Sequence, residues 1–452
     1  MNWGQLAQDR LSEISKCSLE SSGVSRFPFT PEHSKALAII QDWMAKAGLG
    51  ASIDDAGTLI GHKKGGDGTK TLFLGSHQDS VRDGGKYDGI MGIVLACLAV
   101  EKLHTEGFET PFNIEVLAFA DEEGVRFPTA LLGPRTLAGT YDPAVLSMKD
   151  NDGISLEDAL RDFGCGPDNL SNLARNPDEI IGYLEVHIEQ GPVLEIENLA
   201  LGVVTGICGI ERNTVNFCGE TGHAGTVPMG NRRDALLAAS EFIHLINHRA
   251  TKSNEVLATV GSISVYPNVV NAIPSKASLT LEIRSINDQA RENFAADALN
   301  IAHEVAQKYS ADFSFLQTYN QAAVLCDPAL MSRLKKSTNN TAGKSITLPS
   351  GATHDASAMA DLCPISMLFV RCKKGISHAP EEFASSADMH VAVETIADNS
   401  WHATSYFQIR TTFFHWVRDT VSNPGISLLK HEKKCVFGVF LNLTRIALVR
   451  KN

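Results

Sequence analysis

Apolar positions along the chain change their period several times, and each change marks an element. In residues 33–48 (HSKALAIIQDWMAKAG), Leu37, Ile40, Met44 and Ala47 recur at helical spacing, and Gly48 stands where a C-cap is expected. The segment 71–81 (TLFLGSHQDSV) predicts a short apolar strand opening into a polar loop. Residues 90–107 (IMGIVLACLAVEKLHTEG) read as a mostly buried helix, and 113–124 (NIEVLAFADEEG) as a second apolar strand that ends in three acids. Apolar strands joined through helices predict a doubly wound α/β arrangement, a central mostly parallel sheet flanked by helices.

From about Gly209 the pattern changes. IERNTVNFCGE, EVLATVGSISVYP and KASLTLEIRS read as strands of alternating type, and helical stretches at 234–249 and 288–308 lie among them. This is the pattern of a smaller α+β insert. MLFVRCKKGISHAP, from residue 367, then returns to an apolar strand followed by a polar loop. The expected organisation is a catalytic domain in two parts, 1–208 and 326–405, interrupted by an insert at 209–325 and followed by an atypical extension at 406–452.

Composition narrows the class. With 43% hydrophobic and 20% charged residues in 452, the chain is neither disordered nor collagen-like. It carries 40 basic and 52 acidic residues, a net charge of −12, which argues against nucleic acid as a partner. The charge is uneven. Residues 401–452 hold 8 basic and 2 acidic residues, or +6, and the preceding 400 hold 32 against 50, or −18. Nine scattered cysteines without a C-x-x-C pair speak against a disulfide framework or a thiolate zinc site. The polar N-terminus is not a secretory signal, and no run of about 18 apolar residues exists, so a cytoplasmic protein with no membrane span is expected.

Candidate chemistry concentrates at strand ends and glycine-rich loops. His77 and Asp79 are two residues apart and project to one side of an extended chain, so the carboxylate can orient the imidazole. Asp88 follows on a loop containing Gly84, Gly85 and Gly89. Asp121, Glu122 and Glu123 directly follow an apolar strand; one such acid can ligate a metal while its neighbour acts on the bound water. His187, His223 and His378 lie in HIEQGP, TGHAGT and ISHAPE. Each alone is unremarkable. Together, His77, Asp88, Glu123, His187 and His378 supply enough donors for two divalent ions.

Seven motifs in order carry a resemblance: GSHQDSV…GGKYDGIMG, DEEGVRFP, HIEQGPVLE, GHAGTVPMGNRRDA, PNVVNAIP, SGATHDASAMA and GISHAPEE. The chain resembles the metal-dependent amidohydrolases of the M20 peptidase superfamily, in the branch of N-carbamoyl-L-amino acid hydrolases, allantoate amidohydrolases and β-ureidopropionase-like enzymes. The likeness runs from about residue 20 to about 400. It implies two divalent ions per subunit, Zn²⁺ or Mn²⁺ with Co²⁺ or Ni²⁺ as alternatives, bound by His77, Asp88, Glu123, His187 and His378 with Asp88 bridging. It implies Glu122 as general base and Asp79 as the acid that orients His77. His187 stands where peptidases and aminoacylases of the superfamily use a carboxylate, which favours a ureido substrate over a peptide.

By the same resemblance the insert is a ferredoxin-like dimerisation or lid domain, and His223 reaches the partner subunit's active site to stabilise an oxyanion. Arg212, Asn271 and Arg284 stand at positions the family uses for holding substrate, with Arg284 on its carboxylate; Gln190, three residues after His187, is a further candidate, placed to bond the ureido group. The implied reaction cleaves the carbamoyl C–N bond of an N-carbamoyl-L-amino acid to amino acid, carbon dioxide and ammonia. Allantoate, ureidoglycolate and β-ureidopropionate are alternative substrates; a dipeptidase, an aminoacylase or a non-catalytic relative is a more remote alternative. Three departures from the family pattern stand out: Thr353 in SGATHDA, Val227 in TVPM, and Arg371–Cys372, which are expected to put a bulky charge near the site.

Overall fold

The computed structural model describes residues 1–66 and 70–398. The extension expected at 406–452 lies outside the described residues. In chain order the strands are β1 (Gly50–Ile53), β2 (Leu59–Lys63), β3 (Thr71–His77), β4 (Asn113–Phe119), β5 (Ile180–Ile188), β6 (Leu201–Ile207), β7 (Gly209–Cys218), β8 (Leu257–Tyr266), β9 (Lys276–Ser285), β10 (Asp312–Gln321), β11 (Val324–Leu325), β12 (Ile346–Ser350) and β13 (Ile365–Val370).

The apolar runs form the centre of a nine-stranded sheet ordered β1-β2-β4-β3-β5-β13-β6-β11, with β12 also paired to β6. The central strands β4, β3, β5 and β13 are parallel, and the antiparallel pairings lie to either side of them. β5 and β13 are buried at every position, the reason their sequences are mostly apolar rather than alternating. The helix Ile90–Thr105 is buried along most of its length, as its sequence predicts. The helix expected at 33–48 spans Pro31–Lys46. Thr30 accepts from the His33 amide and Pro31 supplies the first turn, so the helix starts ahead of its apolar period.

β7 to β10 form a separate antiparallel sheet, ordered β10-β7-β9-β8. With the helices Ala235–Thr251 and Asp288–Lys308 the chain order is β-α-β-β-α-β, a ferredoxin-like arrangement. Alternate residues of β9, from Ala277 to Ile283, turn inward onto Phe217, Phe242 and Phe294. Each buried phenylalanine contributes about 1.5–3 kcal/mol. β10 escapes the sequence reading because, as an edge strand, most of its positions are exposed and its apolar alternation is weak.

The order of the large sheet sets the position of the site. β4 lies on one side of β3 and β5 on the other, so β3 marks a reversal of strand order, where a crevice opens at the C-terminal strand ends. His77 closes β3, the acidic run follows β4, His187 is the penultimate residue of β5, and the loop after β13 carries His378.

Candidate active site

Asp88 lies at the centre of the cluster these strand ends assemble. Its Oδ1 lies 3.0 Å from His187 Nε2 and 3.7 Å from His77 Nε2. Its Oδ2 lies 3.3 Å from His378 Nε2, which is in turn 3.6 Å from Glu123 Oε1. Three donor groups result, each with atoms within 4.8 Å of one another: His77–Asp88–His187 and Asp88–Glu123–His378, which share Asp88, and His77–Glu122–Glu123. Imidazole nitrogens with carboxylate oxygens suit Zn²⁺, Mn²⁺, Co²⁺ or Ni²⁺. Glu123 Oε1 is buried without a hydrogen-bond donor, a position that a cation fits.

The histidine rings are oriented from behind. His77 Nδ1 faces the Asp79 carbonyl at 3.1 Å and its carboxylate at 3.4 Å, and His187 Nδ1 faces the Ile188 carbonyl at 2.9 Å. Both Nε2 atoms therefore point into the cluster. Asp79 does more than the sequence suggests: its Oδ1 accepts the Glu122 amide at 3.2 Å and its Oδ2 the Glu123 amide at 3.1 Å. One buried carboxylate thus holds the imidazole and both acids.

Glu122 is buried, with Oε2 3.9 Å from His77 Nε2, and burial pushes its carboxyl well above the usual range. Burial also raises Glu123, to about 7. Burial opposes charge on Asp88 as well, yet His187, His378 and His77 hold it well below the ordinary value. The hydrogen bond to Asp88 raises His378 to about 9. Metal ligation requires neutral imidazoles and ionised carboxylates, so cation uptake at this cluster releases protons.

A cavity of about 700 Å³ opens onto the cluster. Gln190, Arg212, Arg284 and Thr353 line it, together with Arg135 and Tyr319, which the sequence reading did not single out. Gln190 Nε2 donates to Asp88 Oδ2 at 2.7 Å, leaving its buried Oε1 without a donor. Arg212 and Arg284 each direct Nε at Glu282, at 2.8 Å in both cases, and Arg284 also donates to the Gly351 carbonyl. Arg212 stacks on Tyr319.

His223 and Asn271 do not line this cavity. Both are exposed and adjacent on the small unit, where the Ala224 amide donates to the Asn271 carbonyl. The Gly225 amide donates to His223 Nδ1 at 3.1 Å, which places the ring proton on Nε2. The expectation for Arg371 needs correction. Its guanidinium grips the Asp388 carboxylate at 2.8 and 3.0 Å and does not line the cavity, and Cys372 is buried with its Sγ on the Gly191 carbonyl. Sequence reasoning also passed over Ser377 and Glu382, although the acid pair after the HAP turn was a visible signal.

The profile of peptidase family M20/M25/M40 matches residues 73–399. The chain belongs to this family. The M20-family chain is 36% identical over 400 residues to a protein named N-carbamoyl-L-amino acid amidohydrolase from Geobacillus stearothermophilus, covering 88% of this chain and 98% of the relative. It is 38% identical over 415 residues to a protein named allantoate deiminase from Arabidopsis thaliana, covering 85% and 79%. A solved amidase of the hydantoinase/carbamoylase family from Burkholderia multivorans superposes with a TM-score of 0.82 at 30% identity, covering 88% of this chain and 97% of that one.

Proposed function

We propose that this M20-family amidohydrolase cleaves the carbamoyl C–N bond of an N-carbamoyl-L-amino acid, using two divalent ions per subunit. The observation that carries the reading is Asp88, whose two oxygens face separate donor groups while Glu122 lies buried beside them. His77 and His187 would hold one ion, Glu123 and His378 the other, with Asp88 bridging. Ions held there lower the pKa of a bound water and polarise the scissile carbonyl.

Glu122 takes the proton of the attacking water and returns it to the departing nitrogen. Its burial beside His77 supports that role. The orphaned Gln190 Oε1 is an acceptor matched to the N–H groups of a carbamoyl substrate. Arg284 offers the substrate carboxylate the donors that Glu282 and Gly351 do not occupy. Arg212 and Asn271 are assigned to the substrate's other polar groups. His223, off its own chain's cavity and with a proton on Nε2, fits a donor to the oxyanion in a partner subunit, making the working unit a homodimer. The eight cysteines among the described residues are all free, consistent with a reducing, cytoplasmic setting. No helix among those residues is long and apolar enough to cross a membrane.

The 38% identity to the Arabidopsis allantoate deiminase favours allantoate as the second reading, with the same residues attacking a ureido group. An assay of N-carbamoyl amino acids, allantoate, ureidoglycolate and a dipeptide, reading ammonia and free amine, decides between them. Ammonia from a ureido acid is expected. Cleavage of the dipeptide alone overturns the reading. Chelated enzyme is expected to be inactive and to recover with at least one of Zn²⁺, Mn²⁺, Co²⁺ or Ni²⁺.

A further inference from the structure

Glu382 takes no part in the chemistry above, yet it is buried where two loops of the cluster meet. Its Oε1 accepts the backbone amides of Tyr87 and Asp88, each at 2.8 Å. Its Oε2 lies 3.1 Å from Ser377 Oγ. The Ser377 hydroxyl also lies 2.6 Å from Asp88 Oδ2, and Gln190 Nε2 reaches it at 3.2 Å. The chain before Asp88 wraps closely on this carboxylate: a β-carbon on Gly85 would stand 2.3 Å from Glu382 Oε1.

The two donor groups that share Asp88 differ in what holds them. His77 and His187 are strand residues, buried, with Nδ1 bonded to backbone carbonyls independently of Glu382. Asp88 and His378 are loop residues, and the His378 side chain is 49% exposed. Glu382 joins those two loops through the Asp88 amide on one side and Ser377, the neighbour of His378, on the other.

We propose that Glu382 is a positioning residue that, with Ser377, sets the separation of Asp88 and His378 and so determines the affinity of the Asp88–Glu123–His378 group for its divalent ion. This rests on the two-ion reading above. Glu382→Ala removes both attachments. Glu382→Gln keeps an acceptor for the two amides and offers Ser377 an N–H donor.

The test is titration of metal-free protein with Mn²⁺ and Zn²⁺ by calorimetry and chelator competition, resolving two dissociation constants. In Glu382→Ala one dissociation constant is expected to rise about 10–100-fold, the range for removing a group that orients a metal ligand, and the other, which shares Asp88 but keeps His77 and His187 held from their strands, to rise less. Glu382→Gln is expected to restore most of the loss. The proposal is overturned if Glu382→Ala binds both ions as the wild type does, if both sites weaken equally, or if Glu382→Gln falls as far as Glu382→Ala. Should Glu382→Ala fail to fold, Ser377→Ala, which leaves both amide bonds in place, carries the test. Two unchanged dissociation constants in Ser377→Ala then overturn the role. A wild-type protein that takes up only one ion or none removes the two-ion reading and this role with it, whereas selective weakening of the second ion without turnover on any ureido acid removes only the substrate assignment.

Discussion

A β-carbon on Gly89 would lie 2.3 Å from Cε1 of the His77 ring, and Gly89 has a φ of +64°. The chain turns into the helix Ile90–Thr105 directly against the imidazole, at a backbone conformation that L side chains rarely adopt. Gly89→Ala must therefore displace either the ring or the turn that carries Asp88. The expected outcome is a loss of about 10–100-fold in metal affinity with secondary structure retained. Metal content by atomic emission and far-UV circular dichroism check it together.

Asp79 supports three site residues with one carboxylate, so its removal should act on both metal binding and catalysis. Asp79→Ala leaves the His77 ring held by the backbone carbonyl of residue 79 alone and leaves the buried amides of Glu122 and Glu123 without acceptors. Metal affinity should fall by about 10–100-fold, and kcat should stay depressed even at saturating metal because Glu122 has lost its anchor. Full recovery of kcat at high metal would limit Asp79 to orienting the ring.

Glu122→Gln separates proton transfer from metal binding. The side chain keeps its shape, and none of the five proposed ligands changes. Turnover should fall by at least about 10²–10⁴-fold while bound metal stays at the wild-type level. Near-normal turnover would remove Glu122 from the role of base.

Metal affinity should depend on pH in a definite direction. Without metal, Glu123 titrates near 7 and His378 near 9, so both hold protons at the lower end of that range and must release them to ligate. Apparent affinity should climb from pH 6 to about pH 9, with proton release detectable in buffers of differing ionisation enthalpy. An affinity independent of pH across that window would exclude these two groups as ligands.

His33 makes a separate contribution to acid sensitivity. Burial, with Arg26 nearby, lowers its pKa from 6.5 to about 3, so the folded protein keeps it neutral while the unfolded chain charges it. The stability this favours is fully present above 6.5 and declines as pH falls toward 3, by about 1.4 kcal/mol per pH unit at most. His33→Asn keeps an acceptor for the Phe29 amide but cannot titrate. Between pH 6 and 4, its urea-unfolding free energy should fall less steeply than that of the wild type, both measured metal-free.

Much of this was legible along the chain because its causes are local. Apolar runs require strands covered on both faces, and β3, β4 and β13, the strands such runs predict, are buried at nearly every position. A polar or acidic residue that closes such a run stands at the C-terminal end of a central strand, as His77 does at the end of β3 and the acidic run does just past β4. β10 was not legible, since an exposed edge strand has little to alternate. Arg371 was misplaced because its sequence neighbours suggested the site, while its partner Asp388 lies on the helix Ser386–Ala397, seventeen positions on.

The sequence by itself determined which side chains could bind metal, that β3, β4 and β13 would end at several of them, and the family to which the chain belongs. Tertiary structure alone decided how they are joined. The Asp79 carboxylate meets amides 43 and 44 positions away, and Glu382 meets the Asp88 amide across 294. Asp88 stands between His77, His187 and His378 only because β3, β5 and the loop after β13 converge on it. Contacts at such separations come from sheet order and loop closure, which leave no periodic trace in the residues that make them.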